Sequence, residues 1–246
     1  MKTQINSEIA QSRAIIDDIE GLFANSDCVL QDARNKIKKV RFENRDYVVK
    51  SFKTPNFLNR LIYTFVRESK AKRSFDYSMK IAEFVPRAVA YVEYREGRLL
   101  SKSYFVSEMF DYDFTIREPL KDLSFTDRDV IFKAFAKFTL ALHQRGILHK
   151  DYSPGNILIC QRDGEYQFKI IDINRMAFGD LAIKERMRCF KMLWATDQVL
   201  DDIVSEYAQL GGYDIAQCQA LAMDFNHRHK RFKNFKRRLK GRPIMQ

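Results

Sequence analysis

Residues 147–159 read ILHKDYSPGNILI, a short polar loop between two apolar runs that are typical of β-strands. Pro154 and Gly155 cannot continue a helix, so the residues between the runs form a tight loop. Asp151 and Asn156 both lie in this loop. We therefore expect their side chains to point into one cleft.

A second acidic residue follows the next apolar run. The chain passes through a turn at 162–164 into a predicted strand over 168–171, and Asp172 ends that strand. The hairpin should return Asp172 to the side of Asn156. An aspartate carboxylate and an asparagine carbonyl are hard oxygen ligands that suit Mg²⁺ held together with phosphate oxygens. Asp151 then remains to orient a hydroxyl nucleophile and accept its proton.

These residues resemble the catalytic loop and metal-binding aspartate of the protein-kinase-like superfamily, H-x-D-x-x-x-x-N followed by Asp. More narrowly, residues 27–200 resemble the lipopolysaccharide kinase family, the Kdo and heptose kinases of bacterial envelope synthesis. The resemblance implies ATP and Mg²⁺ as cofactors, with Asp151 as the catalytic residue and Asn156 and Asp172 as metal ligands. It also implies transfer of the ATP γ-phosphoryl group to an alcohol, a sugar hydroxyl of the lipopolysaccharide inner core (Kdo or heptose).

Strand patterns dominate the first part of the chain and helical patterns the last part, which is typical of an α+β protein in two lobes. In the kinase-like fold that the resemblance implies, residues 1–110 form a β-rich N-terminal lobe with an N-terminal helix and one long helix over 59–83. Residues 111–226 form a short, mostly helical C-terminal lobe with the catalytic loop. Residues 227–246 form a basic tail.

Local patterns predict three further features. Isoleucines at helical spacing indicate an amphipathic helix within residues 5–23. A turn is expected over residues 43–46, before a strand. Ser124 or Thr126 should cap a buried apolar helix that ends at Gly146.

A nucleotide site of this family needs a strand lysine that contacts the α- and β-phosphates, and Lys50 matches that position. Val48 shares a strand face with Lys50 and is placed to cover the adenine. Lys53 is a nearby competitor on the opposite face, and the alternative for Lys50 itself is a surface strand lysine. By position, Glu108 to Phe110 resemble the segment whose backbone binds adenine.

The resemblance also requires a helical acid that pairs with Lys50. Both Asp76 and Glu68 lie on the helix predicted over 59–83. We prefer Asp76 because its position fits the family layout.

Several departures from the family pattern narrow the function. The chain has no G-x-G-x-x-G motif, and the turn expected to cover the phosphates, residues 31–36, reads QDARNK. Asp172-Ile173-Asn174 replaces D-F-G, and Ser153 stands where protein kinases commonly carry lysine. These departures favour a glycan or small-molecule kinase over a peptide kinase. They leave open a pseudokinase-like nucleotide-binding or scaffold module and an atypical protein kinase.

Three further polar residues have roles that the sequence can address. His149 precedes Asp151 and is expected to fix the loop backbone, whereas His143 is expected to be a hydrogen-bonded core histidine. Arg175 either binds the acceptor or phosphate, or forms a salt bridge that shapes the loop.

Composition excludes whole classes of protein. The 246 residues are 46% hydrophobic and 30% charged, which is ordinary for a folded domain and excludes disorder as a description of the whole chain. No apolar run is long enough to span a membrane, and the N-terminus does not resemble a secretory signal, so we expect a cytoplasmic protein. The four cysteines are far apart without C-x-x-C spacing, which predicts free thiols and no zinc site.

Charge is concentrated at one end of the sequence. The net charge is +11, and residues 227–242 contain nine Lys or Arg and no acid. Phe232, Phe235 and Leu239 are interleaved with these cations at helical spacing, a pattern typical of a helix on an anionic membrane surface. Arg228–Arg242 is therefore expected to bind an anionic membrane or glycolipid, and the resemblance to lipopolysaccharide kinases implies that this surface is the inner face of the inner membrane. The alternatives are a docked C-terminal helix with solvated charge and, less favoured, nucleic acid.

Overall fold

The computed structural model of the protein describes residues 1–9, 12–32, 35–53 and 68–244. The chain divides into two compact units. The first unit comprises Met1–Asp111 with Asp172–Asn174, and the second comprises Tyr112–Ile171 with Arg175–Gln246. Three residues from the middle of the C-terminal half therefore belong to the first unit.

An antiparallel sheet is the framework of the first unit. Its described strands are β1 (Lys2–Ile5), β2 (Val29–Asp32), β3 (Asn35–Phe42), β4 (Arg45–Phe52), β5 (Ala88–Glu96) and β6 (Leu99–Glu108). In space they follow the order β1-β5-β6-β4-β3-β2. The strand that carries Lys50, β4, is thus an interior strand with β6 and β3 as its neighbours.

The β3–β4 hairpin has a defined local cause. Glu43 and Asn44 have positive φ values of 45° and 63°, and Phe42 pairs with Arg45 on either side of them. Two left-handed residues are typical of a type I′ turn, whose twist matches that of the flanking strands. The turn predicted over residues 43–46 is confirmed.

The N-terminal segment is divided between a strand and helices. The helices are α1 (Ser12–Asp17) and α2 (Ile19–Asn25). Ile15, Ile16 and Ile19 are buried in a core with the sheet residues Val49 and Val106. The predicted helix is therefore confirmed from residue 12 onward.

Its beginning is different, because Ile5 lies in β1 and pairs with Ala90 of β5. The Asn6 side chain continues this attachment by donating to the Ala88 carbonyl at 2.9 Å. Backbone pairing at the sheet edge has outweighed the helical spacing of the isoleucines.

The long helix predicted over residues 59–83 is described in part, since residues 59–67 lie outside the described residues. The described helix is α3 (Lys70–Lys80), and a 3₁₀ turn (Ala82–Phe84) follows it. Ser69 is its N-cap and accepts a bond from the Lys72 N–H at 3.0 Å, which satisfies one of the amides at the helix start.

The second unit is mostly helical. Its described helices are α4 (Arg117–Lys121), α5 (Arg128–Gln144), α6 (Ile183–Phe190), α7 (Asp197–Gly211) and α8 (Ile215–Arg238). Its described strands are β7 (Phe114–Thr115), β8 (Ile147–His149), β9 (Ile157–Arg162), β10 (Glu165–Ile170) and β11 (Met176–Phe178). A strand-rich first unit and a helix-rich second unit confirm the predicted α+β class.

Helix α5 lies in the core of the second unit, as its apolar sequence predicts. Phe135 and Ala136 are completely buried, and Gly146 at φ +67° follows the helix end. The predicted cap at Ser124 or Thr126 is wrong. Asp127 is the N-cap residue, at φ +58° and without a side-chain cap bond, because its carboxylate accepts from the Tyr166 hydroxyl instead.

The C-terminal basic residues continue a helix rather than beginning a separate segment. Residue 227 lies inside α8, which starts at Ile215 and ends at Arg238. Lys230 donates to the Ala195 carbonyl at 2.8 Å, so the first basic turn is attached to the second unit. The predicted limits of the two lobes and the tail stay predictions.

Two further observations concern the described residues as a whole. None of the helices in the described ranges is long and apolar enough to cross a membrane. All four cysteines are free, but the sequence predicts buried or semi-buried thiols, and this holds for Cys160, Cys189 and Cys218 and is wrong for Cys28, which is exposed.

Candidate active site

The catalytic loop of the second unit is closed by its own asparagine. Asn156 Nδ2 donates to the Asp151 carbonyl at 2.9 Å, and the Ser153 N–H donates to the same carbonyl at 2.8 Å. A 3₁₀ turn over Pro154–Asn156 completes the loop, as its proline and glycine predict. Because the side-chain nitrogen of Asn156 is used inside the loop, its side-chain oxygen Oδ1 is the atom left for an external ligand.

His149 fixes the backbone on both sides of this loop. Its Nδ1 accepts from the Asp151 N–H at 3.0 Å, and its Nε2 lies 3.0 Å from the Ile171 carbonyl. These two bonds require the neutral ring with the proton on Nε2. The side chain is buried, so the structural role predicted for His149 is confirmed.

The β9–β10 hairpin places the end of the following strand beside the loop. Ile170 pairs with Ile157, and the Ile171 N–H donates to the Asn156 carbonyl at 2.9 Å. The predicted return of the chain to Asn156 is therefore present up to Ile171, the last residue of this segment in the second unit.

Asp172 is the next residue and belongs to the first unit, where it is tied to Lys50. Lys50 Nζ donates to Asp172 Oδ1 at 2.8 Å, and Asn174 Nδ2 bonds the same oxygen. Arg73 Nη1 donates to the Asn174 carbonyl at 3.1 Å and holds the end of this segment. Asp172 has φ +57°, a left-handed conformation that a non-glycine residue adopts at a cost of about 1 kcal/mol.

Lys50 lies where its strand pattern predicts. It is 9% exposed, so the alternative of a surface strand lysine is wrong. Val48, two residues earlier on β4, is half-buried, and Lys53 lies beyond the end of the strand and is exposed.

The structure does not form the predicted pair between Lys50 and Asp76. Lys72 forms ion pairs with both candidate acids, Asp76 and Glu68, and its Nζ is 2.7 Å from Glu68 Oε1. Positions four residues apart meet on one helix face, which is the physical reason for this arrangement. Burial alone would lower the pKa of Lys72, but the hydrogen bonds that its ammonium donates to Asp76 and Glu68 raise the pKa above its ordinary value.

Two backbone amides of the segment predicted to bind adenine already donate hydrogen bonds within the first unit. The Glu108 N–H donates to Arg87 and the Met109 N–H to Asp46, each to a carbonyl at 2.9 Å. Neither of these two N–H groups is therefore available to hydrogen-bond the adenine. In the described part of the chain, the Phe110 N–H has no backbone acceptor, so it is the donor that remains in this segment.

The donor chemistry fits Mg²⁺ bound together with phosphate. Asn156 presents a carbonyl oxygen and Asp172 a carboxylate, and such hard oxygens suit a cation that keeps several other oxygen ligands. The described residues contain no group of three or more His, Cys, Asp or Glu side chains placed to hold a metal by themselves.

The sequence did not predict the roles of two residues at the site, Asn174 and Arg73. Asn174 bonds Asp172, and the motif Asp172-Ile173-Asn174 was the available signal. Arg73 holds the Asn174 carbonyl from α3, and nothing in its own sequence context distinguishes it from the neighbouring basic residues.

Comparison with known proteins places this fold in one class. A solved structure described as WaaP in complex with acyl carrier protein is similar to this chain, with a TM-score of 0.62 and 14% sequence identity. The likeness covers 94% of this chain and 99% of that one. The fold is therefore protein-kinase-like, as predicted, with an antiparallel-sheet unit and a helical unit.

The model of the lipopolysaccharide kinase (Kdo/WaaP) family matches residues 44–194, more than half of the chain and the whole of the catalytic loop. The protein belongs to the lipopolysaccharide kinase family. It is a kinase of the lipopolysaccharide inner core, which confirms the predicted family and enzyme class. The comparison with curated proteins found no match.

Proposed function

We propose that the protein transfers the γ-phosphoryl group of ATP, with Mg²⁺, to a Kdo or heptose hydroxyl of the lipopolysaccharide inner core. The observation that carries this proposal is the ion pair between Lys50 and Asp172, at 2.8 Å in the first unit. ATP-dependent kinases use a strand lysine for the phosphates and a strand-end aspartate for the metal, and this ion pair brings two such residues together.

Each residue has one role in this proposal. Lys50 binds the α- and β-phosphates, and Val48 covers the adenine, whose edge meets the Phe110 N–H. Asn156 and Asp172 would hold Mg²⁺, which supplies positive charge to the phosphate oxygens when it is bound.

Asp151 acts on the acceptor. The acceptor oxygen forms a bond to the γ-phosphorus while the bond from that phosphorus to the β,γ-bridging oxygen breaks, and ADP leaves with the electron pair. The hydroxyl proton passes to the Asp151 carboxylate. Most of the acceleration would come from positioning and charge stabilisation, as is general for phosphoryl transfer.

The test uses ATP labelled in the γ-phosphate and lipopolysaccharide from cells that lack the protein. We expect label in the lipopolysaccharide, and we expect D151N to lower the rate by about 10²- to 10⁴-fold because it removes the general base. Asp163, on the exposed β9–β10 turn, provides the matched control D163N, which should keep the wild-type rate.

The outcomes separate the rival functions. Label in protein instead of glycolipid would indicate an atypical protein kinase, and no transfer to either would indicate a pseudokinase. A D151N variant that keeps both its melting temperature and the wild-type rate would refute the role of Asp151. Mass spectrometry of the labelled product identifies the sugar and its hydroxyl.

We also propose that the basic segment Arg228–Arg242, which begins in the C-terminal half of α8 and continues past its end, attaches the kinase to an anionic membrane or glycolipid surface. Phe232, Phe235 and Leu239 are 54%, 60% and 71% exposed, on the segment that carries the excess of cations. Each Lys or Arg near an anionic leaflet contributes about 1 kcal/mol of binding free energy. This would hold the protein at the inner face of the inner membrane, where a lipid-linked acceptor lies.

A further inference from the structure

A cation lies beside the carboxylate of Asp151 in the second unit. Arg175 Nη1 is 3.6 Å from Asp151 Oδ2, and the two side chains are 67% and 31% exposed. Among the described residues this is the one ion pair that Asp151 makes. An exposed ion pair of this kind contributes little to the stability of the fold, so a stabilising role does not explain why Arg175 lies beside Asp151.

The backbone determines that these two residues meet. Strand β11 pairs with β8, Met176 lies opposite His149, and the Lys150 N–H donates to the Arg175 carbonyl at 3.0 Å. Arg175 is therefore held opposite the residue that precedes Asp151. The strand pairing fixes the backbone of Arg175 beside the loop whether or not the ion pair forms.

The contact occupies one carboxylate oxygen and leaves the other. In the described part of the chain Asp151 Oδ1 has no hydrogen-bond or ion-pair partner, whereas the backbone N–H and carbonyl of Asp151 are bonded within the loop. The contact at 3.6 Å is an ion pair without a hydrogen bond, so the guanidinium acts on the carboxylate through its charge. This charge favours an orientation in which Oδ2 faces Arg175 and Oδ1 is left for a hydroxyl.

Two further cations lie at this loop, namely Lys150 within it and Arg117, whose guanidinium lies against Gly155. In the described part of the chain neither of them forms an ion pair with Asp151, whereas Arg175 does. A carboxylate that approaches a phosphoryl group meets charge repulsion, which a neighbouring guanidinium reduces.

We propose that Arg175 is a positioning residue for phosphoryl transfer. It orients Asp151 through Oδ2, so that Oδ1 accepts the proton of the acceptor hydroxyl as the new oxygen–phosphorus bond forms and ADP leaves. This inference rests on the proposed function and assigns Arg175 a role in kcat rather than in ATP binding.

The test compares R175A with R175K and with R162A, which removes another exposed arginine of the second unit. Acceptor phosphorylation is measured with γ-labelled ATP and lipopolysaccharide from cells that lack the protein. We expect R175A to lower kcat by about 10- to 100-fold, with the KM for ATP changed by less than about twofold. R175K keeps the charge and should retain more of the rate than R175A, and R162A should match the wild type.

A double substitution distinguishes positioning from an independent effect. If Arg175 acts through Asp151, adding R175A to D151N should change the small residual rate by less than about twofold. An R175A kcat within twofold of the wild-type value, or an R175A loss that is undiminished in D151N, would overturn the inference. Absence of transfer by the wild-type protein would instead overturn the proposed function.

Discussion

Lys50 and Lys53 allow the nucleotide site to be tested with two substitutions of one kind. Lys50 is buried against Asp172, whereas Lys53 lies beyond the strand end and is exposed. We expect K50M to weaken MgATP binding by about 10- to 100-fold, the size of one lost charge-assisted contact. K53M should bind MgATP as the wild type does. Titration calorimetry measures both, and equal affinities for the two variants would contradict the assignment of Lys50.

His143 predicts a pH dependence of stability. Its Nδ1 lies 2.9 Å from the Tyr207 hydroxyl, and burial together with the charge of Arg186 lowers its pKa to about 3. An unfolded histidine has a pKa of about 6.5, so between these values the unfolded state binds a proton that the folded state does not. His143 therefore destabilises the folded protein increasingly as the pH falls below 6.5.

Below pH 6.5 the free energy of unfolding falls by about 1.4 kcal/mol per pH unit because of His143, which amounts to about 2 kcal/mol at pH 5. Urea unfolding of the wild type and of H143Q at pH 7.5 and pH 5 measures it, because glutamine keeps a hydrogen-bonding group but does not titrate. The wild type should lose about 2 kcal/mol more than H143Q over this interval. Identical losses would show that His143 is protonated in the folded protein.

At the scale of elements, the connection after α5 depends on a glycine. Gly146 has φ +67°, and a Cβ there would lie 2.5 Å from the Gly179 carbonyl oxygen. G146A combines a left-handed conformation with a backbone clash and should lower the free energy of unfolding by about 2–4 kcal/mol.

Gly97, in the β5–β6 turn, provides the control. Its φ is +60° but a Cβ would meet no atom within 4 Å, so G97A should cost only about 1 kcal/mol, the conformational part of the effect. Chemical denaturation of both variants measures the difference. Equal losses would show that the approach of Gly179 does not constrain the loop that leads into β8.

Local signals explain which elements the sequence predicted. The bend at Pro154 and the Glu43-Asn44 turn are determined by residues that lie next to each other in the chain, and both were predicted. The predicted cap at Ser124 or Thr126 is wrong, because the Ser124 hydroxyl and N–H both donate to the Asp122 carboxylate and the helix begins only after Asp127.

The site shows the same division. His149 and the Asn156 loop follow from a contiguous motif. The partner of Asp76 was predicted wrongly although it is local, because Lys72, four residues earlier on the same helix, binds its carboxylate. The contact of Arg73 with the Asn174 carbonyl joins residues 101 positions apart, and such pairing depends on packing that neither residue specifies alone.

At the scale of the whole molecule, charge and apolar exposure coincide on α8. Substituting Phe232, Phe235 and Leu239 together by serine leaves the attachment of Lys230 to Ala195 intact. We expect the triple variant to bind anionic phospholipid vesicles at least about tenfold more weakly than the wild type, with unchanged MgATP affinity. Vesicle co-sedimentation measures this, with neutral vesicles as the control. Unchanged binding would mean that the helix face is merely solvated.

The distribution of thiols has a practical consequence for studying this kinase. Cys28 is exposed at the edge of the sheet, while the other three cysteines are enclosed, and burial raises the pKa of the Cys160 and Cys218 thiols. A thiolate is the reactive form, so a maleimide dye should label the folded protein at Cys28 first. The wild-type chain thus offers a natural handle for a fluorescent reporter on the first unit.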